Sequence, residues 1–169
     1  MTGVKVDGDG RKVWYFAYGS NMSDAVMGRR GLHPIQAHNA VAPSHRLIFD
    51  VYGVPFSEPA MASIEDRPPD AEGPPVHGVV YLLTEDDYAR ILVSEGAGIG
   101  YHETGIRVQA VAVDGNRIPK SGPTMIDART LVARFPFQPH ALPSARYLVS
   151  QVHQAFVLPF WLAAKSVSR

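Results

Sequence analysis

The spacing of apolar residues changes several times along the chain, and each change predicts an element. "VWYFAY" (Val13 to Tyr18) is aromatic and β-branched enough for a first strand. It stops on Gly19, Ser20 and Asn21, after which Ser23 has the chemistry of an N-cap, Asp24 falls in a first turn and Gly31 ends a short helix. Strand, loop and helix therefore meet at Gly19 to Met22, where free backbone N–H groups would suit an oxygen-rich or anionic group. Two further strand-like runs, Gln36 to Ala42 and Arg46 to Tyr52, flank Pro43 and Ser44 and are expected to pair as a hairpin. From Val54 to Pro75 the pattern is loop-like, broken only by Met61 to Glu65. "VHGVVYLL" (Val76 to Leu83) carries little charge and reads as a central strand.

The period then lengthens. Thr84 caps a helix, "TEDDYARILVSEG", whose carboxylates sit in the first turn where the macrodipole favours them, while Tyr88, Ile91 and Leu92 share an apolar face. It ends near Glu95 and Gly96, and a glycine-rich stretch leads into the strand-like alternation of Tyr101 to Val113. Asp114, Gly115 and Asn116 have turn chemistry, a final strand runs through Thr124 to Ala133, and Pro143 and Ser144 open a last helix carrying Tyr147, Leu148 and Val152. Several strands with few helices between them predict an α+β fold: a small, largely antiparallel, barrel-like sheet with packed helices.

Composition narrows the possibilities. A chain of 169 residues that is 46% apolar supports one core, so residues 1–12, polar and rich in glycine and aspartate, read as a flexible leader and residues 13–169 as a single domain. Sixteen basic residues balance sixteen acidic ones without blocks of like charge, which argues against nucleic acid and membrane surfaces and for a small-molecule partner. The absence of cysteine removes disulfides, thiolate nucleophiles and cysteine-based metal sites, and the default location is cytoplasmic. Ala155 to Ala164, the most apolar stretch, is about half a membrane span and is interrupted by Pro159. It is expected to cover the chain's own core or a second copy in a homodimer.

Two features stand out as candidate chemistry. Glu95 closes a helix at the negative end of its dipole, and no Lys or Arg lies in the following turn. That setting favours a carboxyl group able to take up and return a proton, as a general acid/base must; the plain alternative is a solvated surface glutamate. The "YGSN" turn, Tyr18 to Asn21, is the second, with an ordinary strand-to-helix turn as its alternative. Ser20 lacks a G-x-S-x-G frame and is set aside as a nucleophile. The seven histidines show no metal-ligand spacing, so neither metal nor cofactor is expected. Gly96, Gly98 and Gly100 follow a helix and precede a strand, the reverse of a dinucleotide fingerprint, and let the chain turn beside Glu95. Tyr101 and Tyr147 read as half-buried packing residues with hydroxyls able to find partners.

"FAYGSNM" at Phe16 to Met22, "GVVYLLTEDDYARILVSEG" at Gly78 to Gly96, "GIGYHETGIRV" at Gly98 to Val108 and "PSARYL" at Pro143 to Leu148, in that order, resemble the gamma-glutamylcyclotransferase-like family. The resemblance implies a barrel-like sheet with packed helices and an enzyme that cyclises a gamma-glutamyl amino acid or amine to 5-oxoproline, releasing the free amine. It implies Glu95 as general acid/base, Tyr18, Gly19, Ser20, Asn21 and Met22 as the substrate loop, and Tyr101 and Tyr147 as substrate contacts. The chain departs from the pattern at "RFPFQPH", where Phe135 and Phe137 stand in a segment in which relatives often carry a tyrosine, and in the Pro-rich 57–75 stretch. Three alternatives remain: the same chemistry on a gamma-glutamyl group of a specialised-metabolite intermediate, a non-catalytic small-molecule binding protein, and a hydrolase using Ser20.

Overall fold

Five strands close on themselves in the computed structural model, which describes residues 10–51, 61–70, 73–95, 99–111, 124–136 and 143. The strands are β1 (Lys12–Ala17), β2 (Gln36–Ala42), β3 (His45–Val51), β4 (Met61–Asp66), β5 (Val76–Thr84), β6 (Tyr101–Ala110) and β7 (Met125–Ala133). The barrel order is β1-β5-β2-β6-β7, with β3 and β4 forming a separate two-stranded ribbon. Neighbours in the barrel run antiparallel except at the closure, where β1 meets β7 in parallel through Tyr15 and Arg129. Lys12, assigned to the leader from composition, is the first residue of β1.

The expected hairpin between the second and third strands does not form. Strand β2 runs along β5 for its whole length, from Gln36 opposite Leu82 to Ala42 opposite Val76, and gives its other edge to β6. With both edges taken, the reversal at Pro43 and Ser44 sends β3 out of the barrel to pair with β4, His45 opposite Asp66. The second expected hairpin, β6 with β7, is present, Tyr101 facing Ala133 and Gln109 facing Met125. The turn at residues 114–116, the final helix and the apolar 155–164 stretch lie outside the described residues.

Alternation on β1 divides the core in two. Phe16 and Tyr18 point into a cluster with Ala40, Val80, Ile106, Val108 and Ile126, drawn from all five barrel strands, which is therefore the lumen; Ala62 and Ile64 of the ribbon join it. Val13, Tyr15 and Ala17 point the other way, against Met27, Leu32, Tyr88 and Ile91 under the two helices, α1 (Asp24–Arg29) and α2 (Glu85–Ser94). The lumen is packed tightly enough to require glycine at Gly78, where a Cβ would lie 2.2 Å from the Ala17 carbonyl oxygen and 2.8 Å from the Phe16 ring.

Both helices have identifiable ends. Ser23 occupies the N-cap of α1, but its carbonyl accepts from Val26 and Met27 while its side chain makes no capping bond. At the other end Gly31, with φ of 66°, completes a Schellman motif: Leu32 N–H donates to the Met27 carbonyl and Gly31 N–H to that of Gly28, and Met27 and Leu32 are both buried. Helix α2 begins with Thr84 Oγ1 accepting from Asp87 N–H at 3.1 Å, has Glu85, Asp86 and Asp87 in its first turn, and buries Tyr88 and Ile91. Glu95 is its C-cap.

Candidate active site

Five chain segments converge where β1 ends. The strand passes into a 3-10 turn, Ser20–Met22, closed by Met22 N–H donating to the Gly19 carbonyl at 3.0 Å. That leaves the N–H groups at the start of the turn without a partner inside it. Opposite stand the C-terminus of α2 with Glu95, the beginnings of β4 and β6 with Met61, Ala62 and Tyr101, and Leu131 of β7. Together with Tyr15, Tyr18, Gly19, Ser20 and Asn21 these residues line one open hollow.

Polar side chains form a connected line along one wall. Asn21 Nδ2 donates to the Tyr15 hydroxyl at 3.0 Å and to Glu95 Oε1 at 3.2 Å. The same carboxylate oxygen is paired with Arg30 Nη1, which also donates to Ser94 Oγ at 2.8 Å. Arg30 is the C-cap of α1, so its position follows from the Schellman turn, and it brings a cation to the carbonyl end of α2. The expectation for Glu95 counted cations only in the following turn; the cation comes instead from a helix 65 residues earlier in the chain. Burial, followed by the nearby Glu95 charge, pushes the Tyr15 phenol well above the ordinary tyrosine range, so it stays protonated.

The aromatic walls are tied down. The Tyr18 hydroxyl donates to the Leu131 carbonyl and the Tyr101 hydroxyl to the Ala62 carbonyl, the latter at 3.0 Å. Their rings thereby shape the hollow. Tyr81, outside it, donates to the Met22 carbonyl at 2.9 Å and anchors the exit of the turn. Among the described residues no three His, Cys, Asp or Glu side chains gather as a metal site would need.

The family model described as gamma-glutamyl cyclotransferase, AIG2-like, matches residues 15–143, which contain this whole arrangement. The chain belongs to this family. It is 40% identical to the gamma-glutamyl cyclotransferase gliK of Aspergillus fumigatus, over 80% of this chain and 54% of that protein. It is 35% identical to the gamma-glutamyl cyclotransferase verK of Clonostachys rogersoniana, over 81% of this chain and 82% of that protein. The chain thus spans about half the length of the first of these relatives and most of the second. A solved structure of a gamma-glutamyl cyclotransferase superposes with a TM-score of 0.62 at 19% identity, covering 92% of this chain and 87% of that one. At that identity the likeness speaks for the fold, and it agrees with the α+β barrel seen here.

Of the residues singled out for this gamma-glutamyl cyclotransferase relative, Tyr18, Gly19, Ser20, Asn21, Glu95 and Tyr101 share the hollow. Met22 does not line it; the turn directs its side chain toward the helix-side core. Tyr147 lies outside the described residues. Sequence reasoning missed Tyr15 and Arg30. Tyr15 carries the alternation of an ordinary strand, and its hydroxyl gave no local signal. Arg30 precedes the helix-ending Gly31, and only the fold brings it to Glu95.

Proposed function

We propose that this protein is a gamma-glutamyl cyclotransferase, converting a gamma-glutamyl amine or amino acid to 5-oxoproline and the free amine in the cytoplasm. The observation that carries the reading is the convergence of Glu95 and the Gly19 to Asn21 turn on one hollow. The family membership and the two curated relatives support it.

The chemistry asks little of the protein. The nucleophile is the substrate's own α-amine, so no activated serine or thiol is required, and a well-oriented intramolecular attack has an effective molarity of about 10⁵ M or more. Glu95 takes a proton from the α-ammonium; the freed amine attacks the δ-carbonyl carbon, closing the five-membered ring. The developing oxyanion would be met by the backbone N–H groups at the start of the turn, which have no partner within the turn itself. As the bond to the leaving amine breaks, Glu95 returns the proton to it. Glu95 then takes a second proton from the ring nitrogen and gives it up to the free amine, so that of the three ammonium protons one remains on the lactam nitrogen and two depart with the amine, released as ammonium. Arg30 and Asn21 hold one oxygen of Glu95, leaving the other for this transfer.

The test is a panel of gamma-glutamyl amino acids, glutathione, gamma-glutamyl amines and larger conjugates, assayed for 5-oxoproline. Release from at least one member is the expected result. Binding without release from any would favour the non-catalytic alternative, and free glutamate in place of 5-oxoproline, with covalent labelling of Ser20 by a serine-directed electrophile, the hydrolase.

A further inference from the structure

We propose that the side chain of Asn21, distinct from the backbone of its turn, is the seat of the substrate's α-ammonium group, an inference that rests on the gamma-glutamyl reading above. Asn21 is 6% exposed and is one of the residues that line the hollow. Its Nδ2 group donates to the Tyr15 hydroxyl and to Glu95 Oε1, at 3.0 and 3.2 Å. The opposite amide orientation would set Oδ1 lone pairs against a carboxylate oxygen, so the orientation is fixed by the neighbours. Oδ1 is then buried with no donor among the described residues. A buried amide oxygen without a partner is costly to fold, and a ligand N–H placed there removes that cost.

The surroundings specify a cationic donor. Glu95 Oε1 already receives Asn21 and Arg30, while no described group donates to Oε2. A hydroxyl has one hydrogen to offer; an ammonium has three and carries the charge that a carboxylate favours. One N–H to Asn21 Oδ1 and a second to Glu95 Oε2 would hold the nitrogen beside the base that must deprotonate it, with the third hydrogen remaining. Tyr15 acts as the post that stops the amide from rotating: its hydroxyl accepts from Nδ2, and it is 4% exposed. The seat selects gamma-glutamyl compounds with a free α-ammonium over analogues that lack it.

L-Glutamate and glutarate share the carbon chain and both carboxylates and differ only in the ammonium, so their affinities, measured calorimetrically on the full chain, isolate the seat. Wild type should favour glutamate. Asn21→Leu, of similar size without the amide, should reduce that preference roughly tenfold to a hundredfold, the range for a hydrogen bond to a charged group. Asn21→Asp keeps an acceptor oxygen at that position and should retain the preference, and Tyr15→Phe should lose part of it. Thermal melting checks each variant, with Asn21→Ala replacing the leucine variant should that one not fold. Undiminished preference in Asn21→Leu, loss as complete in Asn21→Asp, or a wild type that does not prefer glutamate overturns the seat. The measurement needs no turnover, so an Asn21-dependent preference in a protein that releases no 5-oxoproline would sink the cyclotransferase reading and leave the seat standing.

Discussion

Phe16 and Tyr15 are adjacent on β1 and face regions built on different terms. Around Phe16 the lumen is filled by side chains of all five barrel strands, and the buried Thr130 hydroxyl there is satisfied by the Phe16 carbonyl at 2.9 Å. Around Tyr15 the seam beneath the helices carries a phenol, an amide, a carboxylate and a guanidinium in contact, with one amide oxygen that has no partner among the described residues. A five-stranded barrel is too narrow to leave room for a ligand once its inward side chains are in place. The open hollow lies instead at its mouth, where β1 leaves the sheet and α2 stops, lined by residues of both clusters. On the function proposed above, the lumen sets stability and the seam sets chemistry, and substitutions should separate the two.

The largest effect on stability is expected at Phe16, which is fully buried. Phe16→Ala should cost about 3–5 kcal/mol in chemical denaturation. Gly78→Ala comes next: its Cβ would meet a backbone carbonyl that cannot move without disturbing β1, at a cost of about 1–3 kcal/mol or more. Tyr15→Phe should cost only about 0.5–1.5 kcal/mol, the scale of one hydrogen bond, while lowering kcat/KM roughly fivefold to tenfold by freeing the Asn21 amide. A stability loss at Tyr15 as large as that at Phe16 would erase the distinction between the two faces.

The smallest effect lies in the ribbon, away from the seam. Burial lowers the His45 pKa below its ordinary 6.5, with Asp66 at 3.6 Å partly opposing the shift. The unfolded chain therefore takes the proton first as pH falls, and stability should decrease below about pH 6.5. His45→Gln should flatten that slope in thermal melts at pH 7 to 5 without altering glutamate binding.

How far the sequence alone reached depends on whether a signal was local. β1, β5 and α2 were legible because period, composition and the Thr84 cap are properties of short windows. The hairpin expectation failed because Pro43 and Ser44 specify a reversal and not which edge the chain then joins; β5 and β6 compete for β2 and occupy it on both sides. In the site, Glu95 and the YGSN turn stood out as unusual ends of regular elements. Tyr15 was concealed by its fit to the strand pattern. Arg30 was invisible for a different reason: its meaning is a contact between two helix ends far apart in sequence. That contact also replaced the assumption that Glu95 has no cation near it.

The central claim is that Glu95, at the seam, carries the proton. The direct measurement compares 5-oxoproline release and substrate affinity for wild type and Glu95→Gln, which keeps the shape and one hydrogen-bonding oxygen. Loss of about 10²-fold to 10⁴-fold in kcat at saturating substrate, over and above the weaker affinity expected when the carboxylate beside the ammonium loses its charge, is the predicted result. Equal turnover by the glutamine variant would contradict it and remove Glu95 from the chemistry.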